Sequence, residues 1–394
     1  MTRLWDKGLP LDERVLRYTA GEDHVLDARL LPYDVQGSIA HAEMLTAQGL
    51  LDEGDCVRIC DGLRLLEEQF AAGEWRIRLE DEDAHTALET RLTALIGDAG
   101  GRLHLGRSRN DQVLAAMRLY LRDACDAIAA RAGKLAEALD RLAERQGELA
   151  LPGTTHMQPA MPSTVALWSG AYAEAFADDA AGLAAARRRL DRNPLGSAAG
   201  YGTPGLELDR EATTRRLGFA ATQAPVTAVQ LSRGKGESGL VFEIALLMQD
   251  LSRLASDLLL FYTQEFGYVV LPADLTTGSS IMPQKRNPDV LELVRAASAT
   301  ATACLSECLM ITAKLPSGYQ RDLQRLKPPV FRAIDLAVDS VDIMAQVADS
   351  VIFCPEKIVL HDSLYATEEA YRLVQAEGIP FREAYRRVAR KYSG

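Results

Sequence analysis

Twelve consecutive residues, Gly278 to Asp289 (GSSIMPQKRNPD), combine a flexible glycine, two serines, a lysine, an amide and two prolines. Gly278 admits backbone conformations closed to other residues, while Pro283 and Pro288 withdraw backbone donors and restrict local geometry. A loop of this composition can aim backbone N–H groups, Lys285 and a serine hydroxyl at one concentrated negative charge. Asn287-Pro288 reads as a helix N-cap followed by a first-turn proline, which sets the loop directly before a long helix. The competing reading is a surface turn that only feeds that helix.

Three more polar clusters interrupt the apolar-periodic stretches. Leu105–Gln112 (LGRSRNDQ) joins arginines, which fork bidentately onto carboxylates, to the single donors Ser108, Asn110 and Gln112. Ser108 or Asn110 would serve equally as the cap of the next helix. Gly153–Ala160 (GTTHMQPA) holds His156, whose ordinary pKa near neutrality suits a general acid or base. A lone loop histidine is nevertheless more often a structural hydrogen-bonder. Ser317–Lys327 (SGYQRDLQRLK) reads by itself as a charged turn.

Taken in order, these runs resemble the fumarase/aspartase superfamily, and the wording MPQKRNPD and GRSRNDQ is closest to its argininosuccinate lyase family. Tyr33–His41, Glu82–His85, Pro194–Ser197, Leu251–Arg253 and Glu265–Gly267 resemble further family landmarks, so the likeness spans most of the chain. It implies Ser279 as proton acceptor, with Lys285 and Asn287 stabilising the dianionic aci-carboxylate. It also implies His156, held by Glu292, as the acid or orienting pair. Ser108, Arg109 and Asn110 would contact the succinyl part, and Thr155 a carboxylate. Tyr319, Gln324 and Lys327 fall on the Y-(x4)-Q-(x2)-K pattern that holds the arginine moiety and its terminal carboxylate. Asp27 falls on a substrate-contacting aspartate, although Tyr18–Asp27 runs longer than is usual in the family. Departures after Gly196-Ser197 and at Ser256 suggest a divergent subfamily.

By the same resemblance the substrate is the small molecule argininosuccinate, split by β-elimination into arginine and fumarate with no metal and no organic cofactor. Lyases for adenylosuccinate, aspartate or malate are the nearest alternatives, and Tyr319, Gln324 and Lys327 argue against them. A non-catalytic, crystallin-like relative is a different class, disfavoured because Ser279 and His156 are both present. An unrelated helical scaffold is the remaining alternative.

The elements that must position these groups are helical. Ala and Leu are abundant, aromatics are 6%, and apolar residues recur at three- and four-residue intervals. The spacing predicts helices over 33–48, 53–72 and 79–96, a glycine-containing break at 97–106, and long helices over 111–149, 163–191, 237–264 and 288–313. Residues 1–24 read as irregular, and the one weak strand signal is Val226–Gln230. The expectation is an all-α chain in three parts: an N-terminal helical domain (1–106), a central long-helix domain (107–354) and a short C-terminal helical domain (355–394). The resemblance adds a homotetramer with a twenty-helix core and active sites shared by three subunits.

A net charge of −11 argues against a nucleic-acid partner or an anionic membrane surface. No stretch is long and apolar enough to span a bilayer, and the N-terminus lacks the apolar core of a secretory signal. The six cysteines lack zinc-ligand spacing and read as reduced, buried thiols. A cytoplasmic protein is expected.

Overall fold

The computed structural model describes residues 12–392. Its first helices are α1 (Glu13–Ala20), α2 (Asp23–Leu26), α3 (Leu31–Ala47), α4 (Glu53–Ala71), α5 (Ala84–Ile96) and α6 (Asp98–Arg102). The long α7 (Arg109–Gln146) leads into strands β1 (Ala150–Thr155) and β2 (Gln158–Thr164), then α8 (Val165–Leu190). After β3 (Arg192–Asn193), α9 (Arg210–Arg216), β4 (Ala221–Thr222) and α10 (Ala228–Leu231) comes α11 (Lys235–Tyr262). Strands β5 (Val269–Val270), β6 (Thr277–Gly278) and β7 (Arg286–Asn287) precede α12 (Asp289–Thr312) and α13 (Lys327–Ser350). The chain closes with β8 (Ile352–Phe353), α14 (Ala366–Glu377) and α15 (Phe381–Tyr392). Among the described residues the strands form four two-stranded pairs, and the fold is all-α.

The chain divides into two compact units. One takes the described residues of Met1–Ala127 with Gly182–Ile244 and Ala301–Asp335; the other takes Ile128–Ala181, Ala245–Thr300 and Leu336–Gly394. In the first unit α3, α4 and α5 pack their apolar faces around Leu31, Leu45, Ile59, Leu63 and Leu92, all fully buried. Gly62 permits that approach, because a Cβ there would lie 2.8 Å from the Leu92 side chain. Aspartates start α4 and α5: Asp52 accepts from the Gly54 N–H at 2.8 Å, and Asp83 from the Thr86 N–H at 2.8 Å.

In the second unit the half-buried Trp168 and Phe261 pack against the buried Phe353 as an aromatic group. Trp168 Nε1 and Tyr172 Oη both donate to Asp257, at 3.0 and 2.8 Å, so each half-buried polar tip has an acceptor. A small separate cluster of Ala370, Ala384 and Val388 joins α14 to α15.

Four predicted long helices are present within a few residues of their expected ends. Other expectations are corrected. Val226–Gln230 is not a strand: its backbone turns into α10. Residues 13–20, read as irregular, form α1, capped by Asp12, and the break at 97–106 contains α6. Asn287 belongs to β7 and bonds Gly278 O through its side chain at 3.4 Å, so it does not cap α12. The two cysteines Cys56 and Cys354 are only half-buried, whereas the other four are buried.

Candidate functional site

Five of the residues expected to touch substrate line one cavity of about 190 Å³ within the first unit: Arg109, Asn110, Tyr319, Gln324 and Lys327. The start of α7 brings two of them there. Ser108 caps that helix, its Oγ accepting from the Asn110 N–H at 3.3 Å, while Asp111 Oδ1 accepts from the Ser108 N–H at 3.0 Å. Asp111 Oδ2 also accepts from the Gly196 and Ala198 N–H groups, at 3.0 and 2.8 Å. This fully buried carboxylate therefore joins the helix start to the Pro194–Ser197 turn. Burial pushes its pKa up to about 6 against the pull of those N–H donors.

Arg109 does not stand free. Its guanidinium donates to Thr86 Oγ1 at 2.8 Å and lies 3.3 Å from Asp83 and 3.6 Å from Glu82. Burial disfavours ionised Asp83, but Arg109 and His85 outweigh it and hold its pKa below the usual carboxylate range. Behind it His85 pairs with Asp34 at 2.8 Å, and Gln112 donates to the same carboxylate at 2.8 Å. The Glu82–His85 and Tyr33–His41 motifs thus build the wall that orients Arg109.

The Tyr319, Gln324 and Lys327 set is likewise engaged. Lys327 Nζ contacts Asp27 at 2.6 Å and Asp23 at 2.9 Å, all three buried. Burial alone would lower the lysine's pKa; Asp27 and Asp23 raise it instead, so it stays charged. Burial, only partly offset by Lys327, lifts Asp23 to about 6. Gln324 Nε2 donates to Thr19 O and Ala20 O, at 2.9 and 3.2 Å. These side chains therefore fasten the Tyr18–Asp27 segment against the cavity. Asp27 is fully buried behind Lys327 and accepts from the Ala84 N–H at 3.3 Å.

The other expected residues lie in the second unit, on two hairpins and, for Glu292, at the start of α12. Thr155 pairs with Gln158 across a two-residue turn, and His156 and Met157 within it have φ of 53° and 61°. Both central residues at positive φ mark a type I′ turn, which normally calls for Asn or Gly. Holding His and Met there costs about 1–3 kcal/mol each, a strain typical of functional sites. β6 and β7 form the second hairpin, with Thr277 opposite Asn287 and Gly278 opposite Arg286. Thr277 Oγ1 bonds Asp289 across its base. At its tip Ser279 Oγ accepts from the Met282 N–H at 3.1 Å and the Ile281 N–H at 3.3 Å. Two donors on one hydroxyl oxygen favour its oxyanion. Lys285 is exposed on the same loop, and Glu292 is exposed in the first turn of α12. Among the described residues no hydrogen bond or ion pair joins His156 to Glu292.

Two residues escaped the sequence reading. Asp111 lay unremarked inside a motif chosen for its arginines. Arg233, which lines the same cavity as Tyr319, sits in a Ser-Arg-Gly-Lys-Gly run before α11; a cation between a serine and a glycine at a helix start was the available signal.

An all-α chain with a hydroxyl-bearing, N–H-lined hairpin and a pre-paired ionic cavity fits a lyase of the fumarase/aspartase class. A protein-family profile described as "Lyase" matches residues 14–302. The argininosuccinate lyase of Sorangium cellulosum (strain So ce56) is 46% identical over 389 residues, covering 98% of this chain and 90% of that protein. The argininosuccinate lyase of Thermotoga neapolitana (strain ATCC 49049 / DSM 4359 / NBRC 107923 / NS-E) is 41% identical over 392 residues, covering 99% and 98%. Among solved structures, EDDS lyase in complex with formate superposes with a TM-score of 0.82 at 28% identity, over 97% of this chain and 76% of that one. The chain belongs to this lyase family, and within it to the argininosuccinate lyases.

Proposed function

We propose that this protein splits argininosuccinate into arginine and fumarate. The proton next to a substrate carboxylate passes to Ser279 Oγ, and the carbanion delocalises into that carboxylate as a dianionic aci-form. The C–N bond then breaks, the electron pair leaves on the guanidine nitrogen, and that nitrogen takes a proton. The observation that carries this reading is the pair of N–H groups on Ser279 Oγ. A neutral serine is a poor base, and these donors lower the cost of ionising it. Lys285 and Asn287 supply further positive potential for the aci-carboxylate, where preorganised donors give the largest catalytic contribution. His156, oriented by Glu292, is the candidate partner for the leaving nitrogen, and Thr155 a carboxylate ligand.

In the same reading Asp27, Ser108, Arg109, Asn110, Tyr319, Gln324 and Lys327 shape the pocket for the rest of the substrate, several of them by holding its walls. The protein works as a cytoplasmic homotetramer in arginine biosynthesis, with His156 and Ser279 of one site drawn from different subunits. Among the described residues no helix is long and apolar enough to cross a membrane. Incubation with argininosuccinate should release arginine and, by ultraviolet absorbance, fumarate in equal amounts; absence of both products ends the reading. Co-refolded His156→Asn and Ser279→Ala variants should regain part of the activity that each lacks alone. Failure to complement would argue against shared sites.

A further inference from the structure

Among the described residues, charge accounting round the 190 Å³ cavity leaves one buried cation without a counter-ion. Lys327 has Asp23 and Asp27, and Arg109 has Asp83 and Glu82. Arg321 is exposed and spends its donors on Thr19 O and Gln324 Oε1. Arg233 is only 7% exposed, yet among the described residues its Nε and Nη1 have no hydrogen-bond partner. Its nearest acidic neighbour in the chain, Glu237, accepts through Oε2 from the Gly234 N–H at 2.8 Å. A buried guanidinium with empty donors is costly and rare. An anion supplied from outside the chain would offset that cost.

The group is also held in place before any ligand arrives. Its guanidinium lies over the Tyr319 ring, 5.4 Å from the centroid, a cation–π contact that helps to hold it. The Arg233 N–H bonds Gln230 O at 3.2 Å, and Gly234 follows at φ +81°. A Cβ on Gly234 would lie 2.2 Å from Thr312 Cγ2, so the backbone there has no room to shift. Arg118 close by feels the same crowding of like charge: burial first, then Arg233, bring its pKa down to about 10 although Glu237 opposes. Arg233 also lines a second cavity, of about 830 Å³.

We propose that Arg233 receives the amino-acid carboxylate of the substrate and so sets specificity for an arginine bearing that group. This rests on the argininosuccinate reading above. The succinyl carboxylates must meet the Ser279 loop, where the reaction occurs. On the same reading the remaining carboxylate lies at the Tyr319 end of the cavity, and a guanidinium over that ring suits it bidentately.

The test compares the wild type with Arg233→Gln and Arg233→Lys in the full-length enzyme. Turnover of argininosuccinate is measured first, followed by inhibition by arginine, by agmatine (arginine without its carboxylate) and by fumarate. Wild type should bind arginine far more tightly than agmatine. Arg233→Gln should raise KM and the arginine inhibition constant by roughly ten- to a hundredfold, with kcat within about threefold. It should leave agmatine and fumarate inhibition unchanged, so the preference for arginine disappears. Arg233→Lys, which keeps the charge but not the fork, should fall between. A preserved arginine preference in a folded variant overturns the proposal, as does a loss confined to fumarate. If Arg233→Gln does not fold by circular dichroism, Arg233→Lys decides by the same ratio. A wild type that leaves argininosuccinate intact sinks both readings; an active one with an unchanged ratio in the variants sinks only this one.

Discussion

Lys327 lies buried between Asp23 and Asp27, whereas Lys285 stands exposed on a hairpin loop, its backbone N–H bonded to Met282 O. The same contrast separates the two regions around them. The cavity of the first unit is ionically pre-paired: Arg109, Lys327 and Gln324 already have partners, and their positions are set before substrate arrives. The hairpins of the second unit carry Thr155, His156, Ser279 and Lys285 with few side-chain partners and, at His156, with a strained backbone. A group that must stabilise a transient charge is best left without a permanent counter-ion. A group that shapes a pocket is best held by one. The two lysines therefore answer to different measurements.

The exposed loop should give the largest effect. Ser279→Ala should lower kcat by roughly 10³–10⁴-fold, about 4–5.5 kcal/mol of barrier, as expected for losing a positioned base. Lys285→Met should cost about 10²–10³-fold. Neither should move the thermal midpoint appreciably, because neither side chain is buried in the described chain. Steady-state rates beside melting curves would check both halves, and near-normal turnover in either variant would remove that residue from the chemistry.

Lys327→Met should do the reverse. It leaves Asp23 and Asp27 buried with no cation, at a cost of about 3–5 kcal/mol in unfolding free energy. Adding Asp27→Asn should recover part of that loss, since one orphaned charge is then gone. Urea unfolding of the single and double variants measures it. A Lys327→Met protein as stable as wild type would show that the lysine is no structural clasp, and would return it to direct substrate binding.

How far the sequence foretold this division follows from what each signal depends on. The long helices were legible because a three-to-four apolar spacing persists over many turns, as in α7 and α11. α13 was missed since its first turn, Lys327-Pro328-Pro329, completes a charged run that reads as a turn. The β1–β2 hairpin was hidden by Pro152, Pro159 and Pro162, which suppress any strand pattern; Pro152 faces Pro162 in its register. The candidate site residues were chosen as motifs, because residue type survives in the sequence. Their partners were not. Nothing local to Lys327 announces that Asp23 and Asp27, about 300 positions earlier, neutralise it. Arg233 was overlooked for the opposite reason: its significance is a missing partner, which only packing can reveal.

Asp111 belongs to neither pattern, and its variant has the smallest expected effect at neutral pH. Its folded pKa of about 6 stands above the ordinary 3.8, so the folded protein holds a proton there that the unfolded chain releases between those values. Stability attributable to Asp111 is thus gained as pH falls through about 6 and is absent above it, opposite to a salt-bridged carboxylate. Asp111→Asn keeps the shape and removes the titration. At pH 7 it should cost about 1–2 kcal/mol, from weakened bonds to the Gly196 and Ala198 N–H groups. At pH 4.5 the gap between wild type and variant should widen by about 2 kcal/mol. Urea titrations of both proteins at the two pH values would reveal it. A constant gap would mean that the N–H donors hold Asp111 ionised despite its burial, and the start of α7 would then be anchored by a full charge.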